Sequence, residues 1–256
     1  MLTVAVITFC VDRDRELERC INSVRLQQVP TIHYVFSERV NELKTSPVLK
    51  PIKDLVRWVA IEDVPYHEHS SPRMAKLRQS ALEKIQEPFV CFLDDDNEFL
   101  PNHLSSLLHC IQEQQLDAAY SWRILLHPDG SLFEGDYYPW HADPKTASLL
   151  YKWCVDNEVI RLGDAVVYDG PRVSDDPRNV ATVDMNEWLF RTKSLLRIGF
   201  NAEFTQEELD NQVGEDDKIL NKILNIDFRF ACSQQATVKY YLGGVSNSDD
   251  NYRYSI

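Results

Sequence analysis

The 256-residue chain has no excess of positive charge, no paired cysteines and no long apolar run. Forty Asp and Glu stand against 27 Lys and Arg, a formal net charge of −13. That balance argues against nucleic acid or an anionic membrane as a general partner. It leaves room for a phosphorylated small ligand, which a metal ion and a few local groups can hold. The six cysteines, Cys10, Cys20, Cys91, Cys110, Cys154 and Cys232, form no CxxC pair, and several fall on apolar faces. They read as reduced, buried thiols rather than a disulfide framework or a zinc site. No segment approaches the length of a membrane span, and Met1 is followed by neither a basic region nor a signal-type apolar stretch. A cytoplasmic protein without a transmembrane segment is therefore expected. Internal repeats and low-complexity tracts are absent, and the Cys and His residues show no metal-ligand spacing. His67 and His69, in the polar stretch Pro65 to Pro72, read as solvated loop histidines.

What is present centres on Phe89-Val90-Cys91-Phe92-Leu93-Asp94-Asp95-Asp96-Asn97. An unbroken apolar run bounded by Pro88 and a polar cluster predicts a strand buried on both faces, of the kind found centrally in parallel sheets. Ligands of open α/β sheets bind outside the carboxyl ends of the strands, where Asp94, Asp95 and Asp96 emerge. Three adjacent carboxylates repel one another, so a cation is expected to offset them. A helix cap needs only one carboxylate.

The remaining pattern fits one large α/β domain or two small ones. Leu2 to Phe9 predicts a first strand, and about Arg13 to Gln28 a helix with Leu17, Cys20, Ile21 and Val24 inward. Thr31 to Phe36 and Val56 to Ile61 follow as strands, and Pro72 to Gln86 as a helix with Arg78 off its apolar stripe. Strand, helix, strand implies a right-handed parallel crossover. After the acidic strand come a helix from Pro101, a strand from Ala118 to Leu126, and a turn at His127 to Gly130 with Ser131 to Tyr137 as a possible hairpin return. Tyr137, Tyr138, Trp140, Tyr151 and Trp153 enrich the next stretch in aromatics. Asp169 to Pro177 predicts an exposed loop. Val183 to Phe190 resumes regular structure, Ser194 to Gly199 predicts a helix with a glycine stop, and Thr205 to Glu208 a capping box. Gly214-Glu215-Asp216-Asp217 precedes a last helix. Two strands, Phe228 to Cys232 and Ala236 to Leu242, end the domain before a polar tail.

Taken together, these segments resemble the GT-A-fold inverting glycosyltransferases of family 2. Leu17-Glu18-Arg19-Cys20-Ile21-Asn22-Ser23-Val24 is similar to the family's first helix, Leu77-Arg78-Gln79-Ser80-Ala81-Leu82 to its Ala-Arg-Asn helix and Phe92-Leu93-Asp94-Asp95-Asp96 to its Asp-X-Asp segment. Leu195 to Phe200 resembles its Ile-Gly-Phe stretch, and Glu215-Asp216 its Glu-Asp motif. Each motif alone is weak; their order and spacing carry the likeness. Three departures stand out. The acidic residue that ends the second strand falls at Glu38, Gln79 replaces the Asn, and the late His before a Gly-Gly turn is missing at Tyr241-Leu242-Gly243-Gly244.

The resemblance implies a GT-A fold, a mostly parallel central sheet with helices on both faces and small antiparallel elements on the acceptor side. Residues 1–126 would bind a nucleotide-diphosphate sugar, 127–246 the acceptor, and 247–256 form a polar tail. Thr8, Phe9, Glu38, Arg78, Asp94 and Asp95 would contact the donor. Asp94 and Asp96 would hold a divalent cation, Mn2+ or Mg2+, which suits carboxylate oxygens. Asp216 would be the general base, with Glu215 and Trp188 on the acceptor side. The acceptor itself, whether glycan, lipid-linked glycan, protein or small molecule, is left open. The aromatic stretch fits an acceptor wall and ordinary packing equally well. Two rival readings are a phosphohydrolase of the haloacid-dehalogenase type and a catalytically silent nucleotide-sugar-binding protein of the same fold. The first expects its Asp-X-Asp-Gly-Thr near the N-terminus. A calcium loop of the EF-hand type is excluded by Phe99, where glycine is needed.

Overall fold

The computed structural model describes residues 2–61, 70–141, 143–171, 183–210 and 213–244. The stretch around His67 and His69, most of the Asp169–Pro177 loop and the polar tail lie outside the described residues.

Along the chain come β1 (Val4–Phe9), α1 (Asp14–Arg25), β2 (Thr31–Ser37), α2 (Val40–Thr45), β3 (Arg57–Ala60) and α3 (Ser70–Leu82). Then follow β4 (Phe89–Phe92), β5 (Glu98–Phe99), α4 (His103–Glu113), β6 (Ala118–Leu126), α5 (Pro144–Asp156) and β7 (Val166–Val167). The chain continues through β8 (Trp188–Arg191), α6 (Thr192–Ile198), α7 (Gln206–Asp210), α8 (Glu215–Leu224) and β9 (Phe230–Tyr241). The strands form one nine-stranded sheet ordered β3-β2-β1-β4-β8-β6-β9-β5, with β7 beside β6. The block β3-β2-β1-β4 is parallel. β8 enters antiparallel between β4 and β6, and β9 runs parallel to β6.

The acidic strand is central, as its apolar run predicts. Val90 and Phe92 face one core with Ala81, Leu82, Leu195, Ile219 and Ile223, from α3, α6 and α8. Phe89, Cys91 and Leu93 face a second core with Cys20, Val24, Leu104 and Leu107, from α1 and α4. Period-two alternation over a strand with both faces covered explains why no polar residue interrupts it. The helix sandwich therefore holds the carboxyl end of β4 rigidly, with β1 in register beside it, Ile7 opposite Phe92.

Four details differ from the sequence pattern. α3 ends at Leu82 rather than Gln86. Ser131 to Tyr137 is no hairpin strand: it makes a single bridge, Leu126 to Leu132, because β7 and β9 occupy the two edges of β6 there. The last two strands are one, β9, passing through Gln234 at φ +57 where the register with β6 shifts. A local irregularity absorbs the polar Ser233-Gln234-Gln235 segment without ending the strand. Asp169, the first residue of the stretch expected to be exposed, is 4% exposed and paired with Arg123.

Candidate active site

The three carboxylates leave β4 in a tight turn, closed by the Asn97 amide on the Asp94 carbonyl at 3.1 Å. Each has a different environment. Asp95 is turned inward, with 3% of its side chain exposed and Arg13 Nη2 at 2.6 Å. Burial pushes its pKa up to about 7 against the pull of Arg13. Asp96 takes Arg13 Nη1 at 2.5 Å and keeps 15% of its side chain exposed. Asp94 is the open one, 43% exposed, with Arg78 Nη2 at 3.9 Å. The surrounding protein desolvates it and raises its pKa to about 6; Arg78 opposes the shift, and Asp184 and Asp96 add to it.

The cation expected beside these carboxylates is thus supplied in part by the chain itself. Arg13 lies just past β1, and the parallel register of β1 and β4 delivers its guanidinium to Asp95 and Asp96. Adjacent parallel strands end at the same edge, so the topology held the signal for Arg13, although no motif did. The Gly243-Gly244 turn, which lacks the family's late His, still closes on this point. A Cβ at Gly244 would sit 2.7 Å from Asp96 Oδ2 and 3.7 Å from Arg13 Nη1.

Arg78 comes from α3. It is buried, bonded to Glu215 Oε1 at 2.5 Å, and faces Asp94. Glu215, expected on the acceptor side, opens α8 and its carboxylate is held by Arg78. Asp216 follows. Desolvation, with Asp217, Glu215 and Asp184 nearby, raises its pKa well above the usual carboxylate range. Asp217 caps the start of α8 from its N3 position: its carboxylate accepts from the Gly214 amide at 2.8 Å. Asp216 Oδ1 accepts from the adjacent Asp217 amide at 2.9 Å. Gly214 makes room for it: a Cβ there would lie 2.2 Å from Asp216 Oδ1.

Other expected site residues lie elsewhere. The Thr8 side chain is fully buried, donates to the Leu93 carbonyl at 2.8 Å and bonds His33 Nε2 at 2.9 Å. It braces β1 against β4 and cannot touch a nucleotide. Trp188 is 1% exposed, stacked on Phe190 at 5.1 Å between centroids, with Tyr120 and Phe230 around it. It is core, not acceptor wall, because inward positions of the central β8 face the helix layer. Phe9 is half-buried against Phe36, and the exposed Glu38 is paired with Arg73 at the outer rim. Tyr138, Trp140, Tyr151 and Trp153 are partly buried against a small core around Leu125 and Phe133.

Two groups were not singled out in the sequence. Arg123, on β6, places Nη1 2.7 Å from Asp169, 3.3 Å from Asp184 and 3.4 Å from Glu187. Its guanidinium also lies over the rings of Trp140 and Tyr240, at 5.0 and 5.3 Å. Burial and Asp169 push the Glu187 pKa well up. Asp184 and Glu187 cap the turn Met185–Glu187 reciprocally. That spacing was readable in principle. Asn186, between them, reaches Asp94.

Among the described residues, no three His, Cys, Asp or Glu side chains converge as a metal-binding group. No helix among them is long and apolar enough to cross a membrane.

A parallel α/β block with an acidic central edge, continued by a mixed half carrying a second acidic helix start, is the GT-A arrangement. Residues 4–132 match the family described as Glycosyl transferase family 2, and the chain belongs to that family. A search of curated proteins found no match to the sequence. Among solved structures, the chain is similar to S. aureus TarS 1-349, with 16% identity and a TM-score of 0.56, covering 93% of this chain and 60% of that one. The same TarS fragment in complex with UDP gives 15% and 0.57, covering 95% and 62%. Its complex with UDP-GlcNAc gives 16% and 0.56, covering 93% and 58%. At this identity the likeness concerns the fold. The chain spans about 60% of the length of that TarS fragment.

Proposed function

We propose that this protein is a metal-dependent inverting glycosyltransferase that moves a sugar from a nucleoside-diphosphate sugar to an acceptor hydroxyl. One observation carries the reading. Asp94, open at the tip of the central strand, and Asp216, held protonatable at the start of α8, are linked through Arg78, which faces Asp94 and pairs with Glu215 next to Asp216. The TarS fragment was solved with UDP and with UDP-GlcNAc, which supports a nucleotide-sugar donor.

The residues fit a divalent cation of the Mg2+ or Mn2+ type. Such ions at substrate phosphates take one or two protein carboxylates and complete their shell with phosphate and water. Asp94 offers an open carboxylate and Asp96 a partly open one, with Arg13 on its Oδ2. When bound there, the ion would stabilise the charge growing on the diphosphate. Arg13 and Arg78 flank the same charge from within the chain. Asp216 takes the proton of the attacking hydroxyl. As the new bond to the anomeric carbon forms on one face, the bond to the diphosphate breaks on the other, and its electron pair leaves with the phosphate. A carboxylate with a raised pKa suits this proton acceptance. In this reading residues 1–126 bind the donor, with Phe9 and Glu38 at its rim, and residues 127–246 bind the acceptor. The acceptor hydroxyl belongs to a glycan, lipid-linked glycan, protein or small molecule. No disulfide joins the six cysteines, five of which are buried, which supports a cytoplasmic location.

A second reading, a nucleotide-sugar-binding protein without turnover, is favoured by Arg13, which engages two of the three tip carboxylates. Two measurements separate them. Thermal shift against nucleoside diphosphates, UDP first, with and without Mn2+, should raise the midpoint if the donor site exists. With a competent donor and acceptor, Asp216→Asn should lower turnover roughly 10²–10⁴-fold while donor affinity stays nearly unchanged. Donor binding without sugar transfer or hydrolysis in the wild-type protein would favour the silent reading.

A further inference from the structure

Asn186 is 1% exposed and makes three bonds with its side-chain amide. Its Oδ1 accepts the Asp94 amide at 2.6 Å. Its Nδ2 donates to Asp94 Oδ2 at 2.8 Å and to Asp184 Oδ1 at 2.6 Å. The partners leave one workable orientation for the amide: turned over, it would set an oxygen against two carboxylates and N–H against N–H. Backbone and side chain of Asp94 are therefore gripped by one rigid group.

The grip divides the two oxygens of Asp94. Oδ2 is engaged by Asn186, while Oδ1 is the atom that faces Arg78. The turn carrying Asn186 is itself anchored. Asp184 accepts the Asn186 amide at 2.9 Å, Glu187 accepts the Asp184 amide at 2.9 Å, and Arg123 holds both carboxylates from β6. A side chain on a long loop would give Asp94 no such fixed partner; a capped turn running straight into the central β8 does.

We infer that Asn186 is a positioning residue, which commits Asp94 Oδ2 to the protein and turns Oδ1 toward the cation and diphosphate of the donor. The inference rests on the donor reading above. It assigns a role in metal-assisted binding to a neutral residue more than 90 positions from Asp94 in sequence.

The test is calorimetric binding of UDP in Mn2+ and in chelator, for the wild-type protein, Asn186→Ala and the gentler Asn186→Ser, with circular dichroism to confirm the fold. The readout is the ratio of the two affinities, the gain that Mn2+ gives. Asn186→Ala removes the bond to the Asp94 carboxylate along with the one to Asp184, and loss of the former should cut this gain roughly tenfold or more, with UDP affinity in chelator changed by less than about twofold. Asn186→Ser should fall in the same direction. A purely structural role moves both affinities together and leaves their ratio alone, so an unchanged ratio in a folded variant overturns the inference. Wild-type protein that fails to bind UDP, or gains nothing from Mn2+, overturns the metal-assisted donor reading and this inference with it.

Discussion

Replacing Arg78 by methionine tests the centre of the site most directly. The Arg78 side chain is 6% exposed and its partner Glu215 13%. Asp94, Asp184 and Asp216 lie close enough to act on its charge. Methionine keeps much of the volume and removes the guanidinium, so Glu215 keeps its charge without a partner. Breaking a buried pair in this way costs about 3–5 kcal/mol. In a chain of this size each kcal/mol shifts the melting midpoint by about 2–4 °C, so Arg78→Met should melt about 6–20 °C lower. The double variant Arg78→Met/Glu215→Gln removes the orphaned charge as well and should recover more than half of the loss. Calorimetric or circular-dichroism melts of the wild type, Arg78→Met, Glu215→Gln and the double variant, at near-neutral pH without ligand, give all four corners of the cycle. A drop below about 2 °C in Arg78→Met, or the same drop in the double variant, would show that the pair is a solvated contact and refute the reasoning.

Two further outcomes follow from the acidic tip. Burial raises Asp95 from 3.8 to about 7, so the folded chain holds its proton more tightly than the unfolded chain. The stability this contributes is full below the unfolded value and lost as pH rises through about 7. Urea midpoints of the ligand-free protein should therefore fall between about pH 4 and about pH 7, and Asp95→Asn should flatten the slope; an unchanged slope would exclude Asp95 as its source. Asp96→Asn should abolish Mn2+-dependent transfer with the fold intact, because Asp95 still engages Arg13; full activity of that variant in chelator would make the cluster structural.

How much of this was legible in sequence depends on which interactions are local. β4 was plain, because a strand covered on both faces must be apolar throughout, and its neighbours β1 and β2 follow from the crossover rule. Asp94, Asp96, Arg78 and Asp216 stood out because they lie in motifs that follow one another in the family's order, and the structure brings Arg78 to Asp94. Pairing between distant segments left no such trace. Arg13 looks like any charged residue at a helix start, and Asn186 like any polar residue in a turn. Only the sheet order brings them to the acidic tip. Trp188 misled for the opposite reason. An aromatic residue after a stretch rich in aromatics suggests a sugar-stacking wall, but its strand is central, and that alone buries it. Thr8 belongs to the same class: a hydroxyl at a strand end reads as a ligand contact until its partners, His33 and Leu93, are seen.

The place of β8 has a consequence for how the chain folds. This short strand, late in sequence, is wedged between β4 and β6. Residues 4–132, the part that matches the family, hold the whole parallel block yet lack β7, β8 and β9, which are all the strand partners of β6. A nascent chain of that length would present β4 as an open edge and leave β6 with no sheet to join, both templates for intermolecular pairing. Closure waits until Trp188–Arg191 has left the ribosome, about a hundred residues after β4, and must overcome the entropy of a long loop before any contact repays it. The most recognisable half of the molecule is therefore not a folding unit, and its acidic tip is completed only when the last third of the chain arrives.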